Sequence, residues 1–171
     1  MDSKKIILII AAAFMAISAG AQKLTLGYLY PAGGEAGSTV EIEAGGLNIN
    51  KATKVIFSHP GIRGEVIPYV GQKTVKKKRL NDQSSPQLAD KVKIKISIAS
   101  DVPCMMYDLR LQSPQGVSNM LPFEVASYPD FLESGKSTLN KPDEVGLPAV
   151  ICGQATPGGV DYFRFSGRKG D

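Results

Sequence analysis

The chain has 171 residues, of which 43% are hydrophobic and 21% charged, ordinary figures for a folded protein, and it contains no Trp. A net charge of +4 at pH 7 is too small to argue for nucleic-acid binding. One His and two Cys, with no C-x-x-C spacing, exclude a recognisable zinc site or dithiol redox motif.

The first 21 residues predict an export signal. Lys4 and Lys5 precede an apolar run over 6–17, and Ser18-Ala19-Gly20-Ala21 supplies a small-residue exit before Gln22. The run is shorter than the roughly 20 residues a spanning helix needs, which disfavours the rival reading of an uncleaved anchor. Cleavage removes Asp2, Lys4 and Lys5 and leaves about +3. No Cys stands at the cleavage point to carry a lipid. The product is expected outside the cytoplasm, whether secreted, periplasmic or at the cell surface, with no membrane span after cleavage.

The mature sequence reads as strands. Residues 24–30 form the first, ending at Pro31-Ala32-Gly33-Gly34. In 38–44, Val40, Ile42 and Ala44 alternate with Thr39, Glu41 and Glu43. Gly45-Gly46-Leu47-Asn48 is expected to turn and place Leu47 inward. Residues 54–57 and 63–70 are two further strands around the His59-Pro60-Gly61 turn. Residues 72–90 are a polar insertion with Lys73, Lys76, Lys77, Lys78 and Arg79. They offer a basic patch for an acidic surface or polysaccharide, but a solvated loop joining two strands is favoured, because no aromatic residues interleave as a stacking nucleic-acid surface would need.

The strongest pattern spans 91–112. Val92, Ile94, Ile96 and Ile98 alternate with Lys91, Lys93, Lys95 and Ser97. After Asp101-Val102-Pro103, Tyr107, Leu109 and Leu111 alternate with Asp108, Arg110 and Gln112. These are expected to be the two strands of an antiparallel hairpin with one buried face. A turn at 113–116, Val117 and a strand over 120–125 complete a β-sandwich of about 100 residues. No long 3.6-residue period occurs after the leader, so the fold class is all-β.

Tyr30-Pro31-Ala32-Gly33-Gly34, Gly37-Ser38-Thr39-Val40, Gly45-Gly46-Leu47-Asn48, Val55-Ile56-Phe57, Tyr107 to Leu111 and Pro122-Phe123-Glu124-Val125 together resemble a TIG/IPT-like immunoglobulin-fold domain, over 22–126. Residues 127–146 are polar and turn-forming, a linker or a segment hugging the surface. In 147–171, Leu147-Pro148 and Val160-Asp161-Tyr162-Phe163-Arg164-Phe165 resemble the first hairpin of a bacterial pre-peptidase C-terminal (PPC) domain. A complete second sandwich needs about 50 more residues, so the chain is expected to be the N-terminal piece of a longer protein.

Candidate chemistry is sparse. His59 lies in a turn without a second His, and a packing role is favoured over a catalytic base. The PPC resemblance implies a calcium site, for which Glu133, Asn140, Asp143 and Asp161 are candidate ligands. Lys136 and Lys141 dilute that cluster, and no cofactor is expected. Cys104 and Cys152 are either a disulfide or two unpaired small hydrophobes, and the second is favoured. The expected function is a non-catalytic binding or spacer module of a larger exported bacterial protein, with a protein or glycan ligand. The alternative is the accessory region of a secreted hydrolase, which the PPC resemblance keeps open.

Overall fold

The computed structural model describes residues 23–67, 90–154, 157–168 and 170. The expected leader, all of the 72–90 insertion but its last residue, and the end of the 63–70 strand lie outside them. The described residues form an all-β sandwich. Strands β1 (Thr25–Tyr30), β3 (Thr39–Leu47), β5 (Ile62–Ile67) and β6 (Asp90–Ile98) make the first sheet, in the order β1-β3-β6-β5. Strands β2 (Gly33–Glu35), β4 (Lys54–Phe57), β7 (Met106–Ser113) and β9 (Leu121–Ala126) make the second, in the order β2-β9-β7-β4, with β8 (Gly116–Val117) beside β7. Pairing is antiparallel throughout the two sheets except for β2 with β9.

The core is the set of residues that the alternation singles out. Val92, Ile94, Ile96 and Ile98 of β6 face Tyr107, Leu109 and Leu111 of β7 and Phe123 and Val125 of β9, and all are buried. Phe57 meets Phe123 edge-to-face at 5.5 Å between ring centroids.

The expected hairpin is corrected. β6 pairs with β3 and β5, whereas β7 pairs with β4, β8 and β9, so the two strands belong to different sheets. The 99–105 loop between them is too long for a tight turn and passes over the end of the sandwich. There Val102 is buried as a plug, the Ala99 amide donates to Gly61 O, and the Tyr107 hydroxyl donates to Pro103 O at 2.9 Å. A period of two fixes which face is apolar and says nothing about the partner strand.

The expected turn at Gly45-Gly46 is corrected as well. Both glycines are strand residues of β3, and Leu47 is 37% exposed. A side chain at Gly46 would put its Cβ 2.1 Å from the Thr25 carbonyl oxygen. The turn comes at Asn48, whose φ of 59° is left-handed.

Asn119, in the loop before β9, ties the edge of the first sheet. Its Oδ1 accepts from the Leu26 amide at 2.7 Å, and its Nδ2 donates to the Leu26 carbonyl at 3.0 Å.

Beyond Ala126 the chain remains in contact with itself through short parallel ladders. β10 (Asp130–Leu132) pairs with β12 (Val150–Cys152), and β11 (Asp143–Glu144) pairs with β13 (Phe163–Arg164). The expected hairpin of the last segment is therefore replaced: β12 and β13 lie in separate two-stranded ladders, each with a partner from 127–146. Phe131 and Phe163 meet edge-to-face at 6.5 Å, and Val145 is buried.

Phe123 has no exposure, so Phe123→Ala leaves a cavity between the sheets. The expected cost is about 3–5 kcal/mol in denaturant-unfolding experiments. A loss below about 1 kcal/mol would contradict the two-layer packing.

Candidate functional site

The site begins with an irregularity in the first strand. The register of β1 against β3 slips between Leu26 and Tyr28, with Gly27 as the extra residue. Without the slip, Leu24, Leu26, Tyr28 and Tyr30 would all face the core. With it, Leu24, Leu26 and Leu29 are buried, and Tyr28 and Tyr30 are left half-buried on the outer side. The bulge presents two aromatic rings outward from an edge strand.

Gly45 makes room for the first of them. A Cβ there would sit 1.9 Å from Cε1 of Tyr28, so the ring lies flat on glycine backbone. The Tyr28 hydroxyl donates a short hydrogen bond to Oε1 of Glu43, and Lys91 Nζ reaches the same oxygen at 2.7 Å. Lys91 Nζ also lies 6.0 Å from the Tyr28 ring centroid.

This trio shifts each member's protonation. Partial burial tends to raise the Glu43 carboxyl, but hydrogen bonds from Lys91 and Tyr28 and the charges of Lys91 and Lys93 outweigh it, and its pKa is lowered. The Lys91 ammonium is held above its ordinary value, chiefly by its hydrogen bond to Glu43. Tyr28 is raised by burial and then by its bond to Glu43.

Facing these groups is the chain around β12. Tyr28, Leu29, Tyr30, Glu43, Lys91, Gly153 and Gln154 line a recess of about 420 Å³. A second recess of about 300 Å³ continues from it over the edge of the sandwich. The two share Leu29, Tyr30 and Gly153 and so form one cleft. The second recess adds Met106, Pro122 and Val150, which are apolar, and Glu124, Asp130 and Cys152, which are titratable.

The 150–154 wall is held by few bonds. The Val150 amide donates to Pro129 O and the Glu133 amide to Cys152 O, each at 3.0 Å. The Gln154 amide donates to the Glu133 carboxylate. Burial, helped by Asp130, pushes the Cys152 thiol up to about 11, so it stays protonated. Burial also raises Tyr30, with Glu133 adding to the effect.

The candidate calcium ligands lie in 133–143 and just before β13, where the Asp143 amide donates to the Tyr162 carbonyl at 2.8 Å. Glu133 binds the Gln154 amide, Asp143 Oδ2 accepts from the Ser134 amide at 2.8 Å, and Asn140 and Asp161 are exposed. Among the described residues no group of three or more His, Cys, Asp or Glu side chains is placed to hold a metal ion. His59 accepts from the Gly61 amide through Nδ1 at 3.1 Å, and its ring lies 5.2 Å from that of Tyr107. Cys104 and Cys152 are both free thiols, and Cys104 Sγ lies 3.1 Å from Ser127 Oγ.

Sequence reasoning singled out none of Tyr28, Tyr30, Glu43, Lys91 or Asp130 as site residues. The available signal was Gly27, a glycine inside an apolar strand pattern and thus a candidate bulge.

No family model matches the chain, and no curated protein matches it. Among solved structures the chain is similar to SGBP-B of the Bacteroides ovatus mixed-linkage glucan utilization locus, in complex with a mixed-linkage heptasaccharide. The sequence identity is 14% and the TM-score 0.32. The match covers 66% of this chain and spans only 22% of that one.

Two outcomes check this geometry. Lys91→Met removes a hydrogen bond and a positive charge from Glu43, so the Glu43 carboxyl, followed by NMR, should titrate at higher pH than in the wild type. In the wild type the lowered pKa means that Glu43's contribution to stability is present above the ordinary carboxylate range and is lost as pH falls through its folded value. Separately, millimolar calcium or EDTA should leave the melting temperature of the full chain within about 1 °C, since Glu133 and Asp143 are already bound to backbone amides. A larger rise with calcium would show that they converge on the ion.

Proposed function

We propose that this chain is an extracytoplasmic, non-catalytic binding module whose ligand lies in the cleft between the Tyr28–Tyr30 edge and the 150–154 wall, and that the ligand is a glycan. One observation carries the reading: the bulge at Gly27 turns two tyrosine rings out of the core and into a recess beside a fixed carboxylate–ammonium pair. Partly exposed aromatic rings offer flat apolar faces to the C–H face of a sugar ring. A carboxylate and an ammonium held 2.7 Å apart offer an acceptor and a donor to neighbouring hydroxyls. Gln154, lining the same recess, adds an amide of both kinds.

Glu43, held below its ordinary range, is ionised near neutral pH and meets a ligand as a hydrogen-bond acceptor. The export signal read from the first 21 residues supports an extracytoplasmic location. Among the described residues no helix is long and apolar enough to cross a membrane.

The test is titration of the full chain with a panel of neutral and acidic polysaccharides, by calorimetry and affinity electrophoresis. The expected result is binding without cleavage, weakened about tenfold or more by Tyr30→Ala, in line with the loss of an aromatic contact of about 1–3 kcal/mol. Binding that Tyr28→Ala and Tyr30→Ala both leave untouched would remove the cleft from consideration. Release of reducing ends would refute the non-catalytic reading.

A further inference from the structure

The second recess holds an electrostatic imbalance. Oδ2 of Asp130 is buried and has no hydrogen-bond partner among the described residues. The carboxyl sits where β10 packs against the sandwich, in a recess whose described lining includes Glu124 but no Lys, Arg or His. From β9 it faces Glu124, from β2 Glu35, and from β12 the Cys152 thiol. Tyr30 of β1 lines the same recess. An ionised carboxylate in that position lacks a counter-charge among the described residues, has lost part of its water, and adds to two like charges.

We propose that ionisation of Asp130 loosens the 150–154 wall from the sandwich, so that the cleft tightens in acid and opens as pH rises. The wall is suited to such a change. It is tied on by a three-residue ladder and a few amide bonds, and Leu132 and Ile151 of that ladder are exposed, so little burial resists its release. Asp130 is raised above the ordinary aspartate value, mainly by burial; Glu124 and Glu35 add to this, and the hydrogen bond from Cys152 offsets part of it. A carboxyl raised in the docked state favours docking below its undocked pKa. That advantage is lost as pH rises through the docked value. The consequence for ligand affinity rests on the glycan reading above, whereas the movement of the wall does not.

The experiment is amide exchange of the ligand-free full chain between pH 4 and pH 8, with protection at 130–133 and 150–154 corrected for the intrinsic pH dependence of exchange. The wild type should lose protection there as pH rises, about tenfold for each unit by which docking raises Asp130, while 92–98 stays unchanged. Asp130→Asn should hold its protection constant across the range. Equal protection at pH 4 and pH 8 in the wild type, or the same loss in Asp130→Asn, would overturn the proposal. If Asp130→Asn leaves the wall unprotected at every pH, Glu124→Gln decides: a smaller loss than in the wild type supports the latch, and an equal loss refutes it. Because no ligand is present, this result is independent of whether the cleft binds glycan.

Discussion

Everything in this molecule hangs on the exclusion of water between two pleated layers. Ile94, Ile96, Leu109, Leu111 and Phe123 are fully buried, and no single sheet could hide them, since each sheet has another face turned outward. Burying side chains of this size is favourable by about 1.5–3 kcal/mol each, enough to fix the relative placement of the layers. The outer face of the first sheet then becomes a rigid support. Glu43 and Lys91 keep their positions because Ala44 and Val92, the neighbouring residues of the same strands, are anchored in the core. The candidate site is thus built on strands rather than on loops, apart from the wall contributed by 150–154.

Much of the layer structure was legible in the residues. Alternation in 91–98 and 107–111 identified the buried side chains of β6 and β7 one by one, because a strand's side chains must alternate whatever it pairs with. The partners were not legible. Two consecutive strands with matching apolar faces fit a hairpin and a cross-layer connection equally well, and only the reach of the 99–105 loop decides between them. The glycines were misread for a related reason. Gly45 and Gly46 look like a turn in isolation, yet their lack of a side chain serves close approach: Tyr28 lies over one and Thr25 against the other.

The site itself was almost invisible. Tyr28 and Tyr30 have the spacing of core residues, and a single extra glycine moves them to the other side of the sheet. The trio of Tyr28, Glu43 and Lys91 spans three strands, its hydrogen-bonded members standing 15 and 48 positions apart in sequence, so no local pattern could announce it. The last segment posed the opposite problem. Its strands were visible, but each found its partner in the polar stretch expected to be a linker, through parallel pairing that leaves no turn signature.

Asn119 bears on a hazard common to open sheets. An outermost strand offers unpaired amides and carbonyls to any other chain that can lie alongside it, a route to self-association. At Leu26 both groups are already occupied, because one side-chain amide imitates the donor and acceptor of a neighbouring strand. A recruiting chain would have to displace that amide first. A margin that could seed fibres is thereby blunted with one residue, and the aromatic half of the same strand is left accessible to a guest.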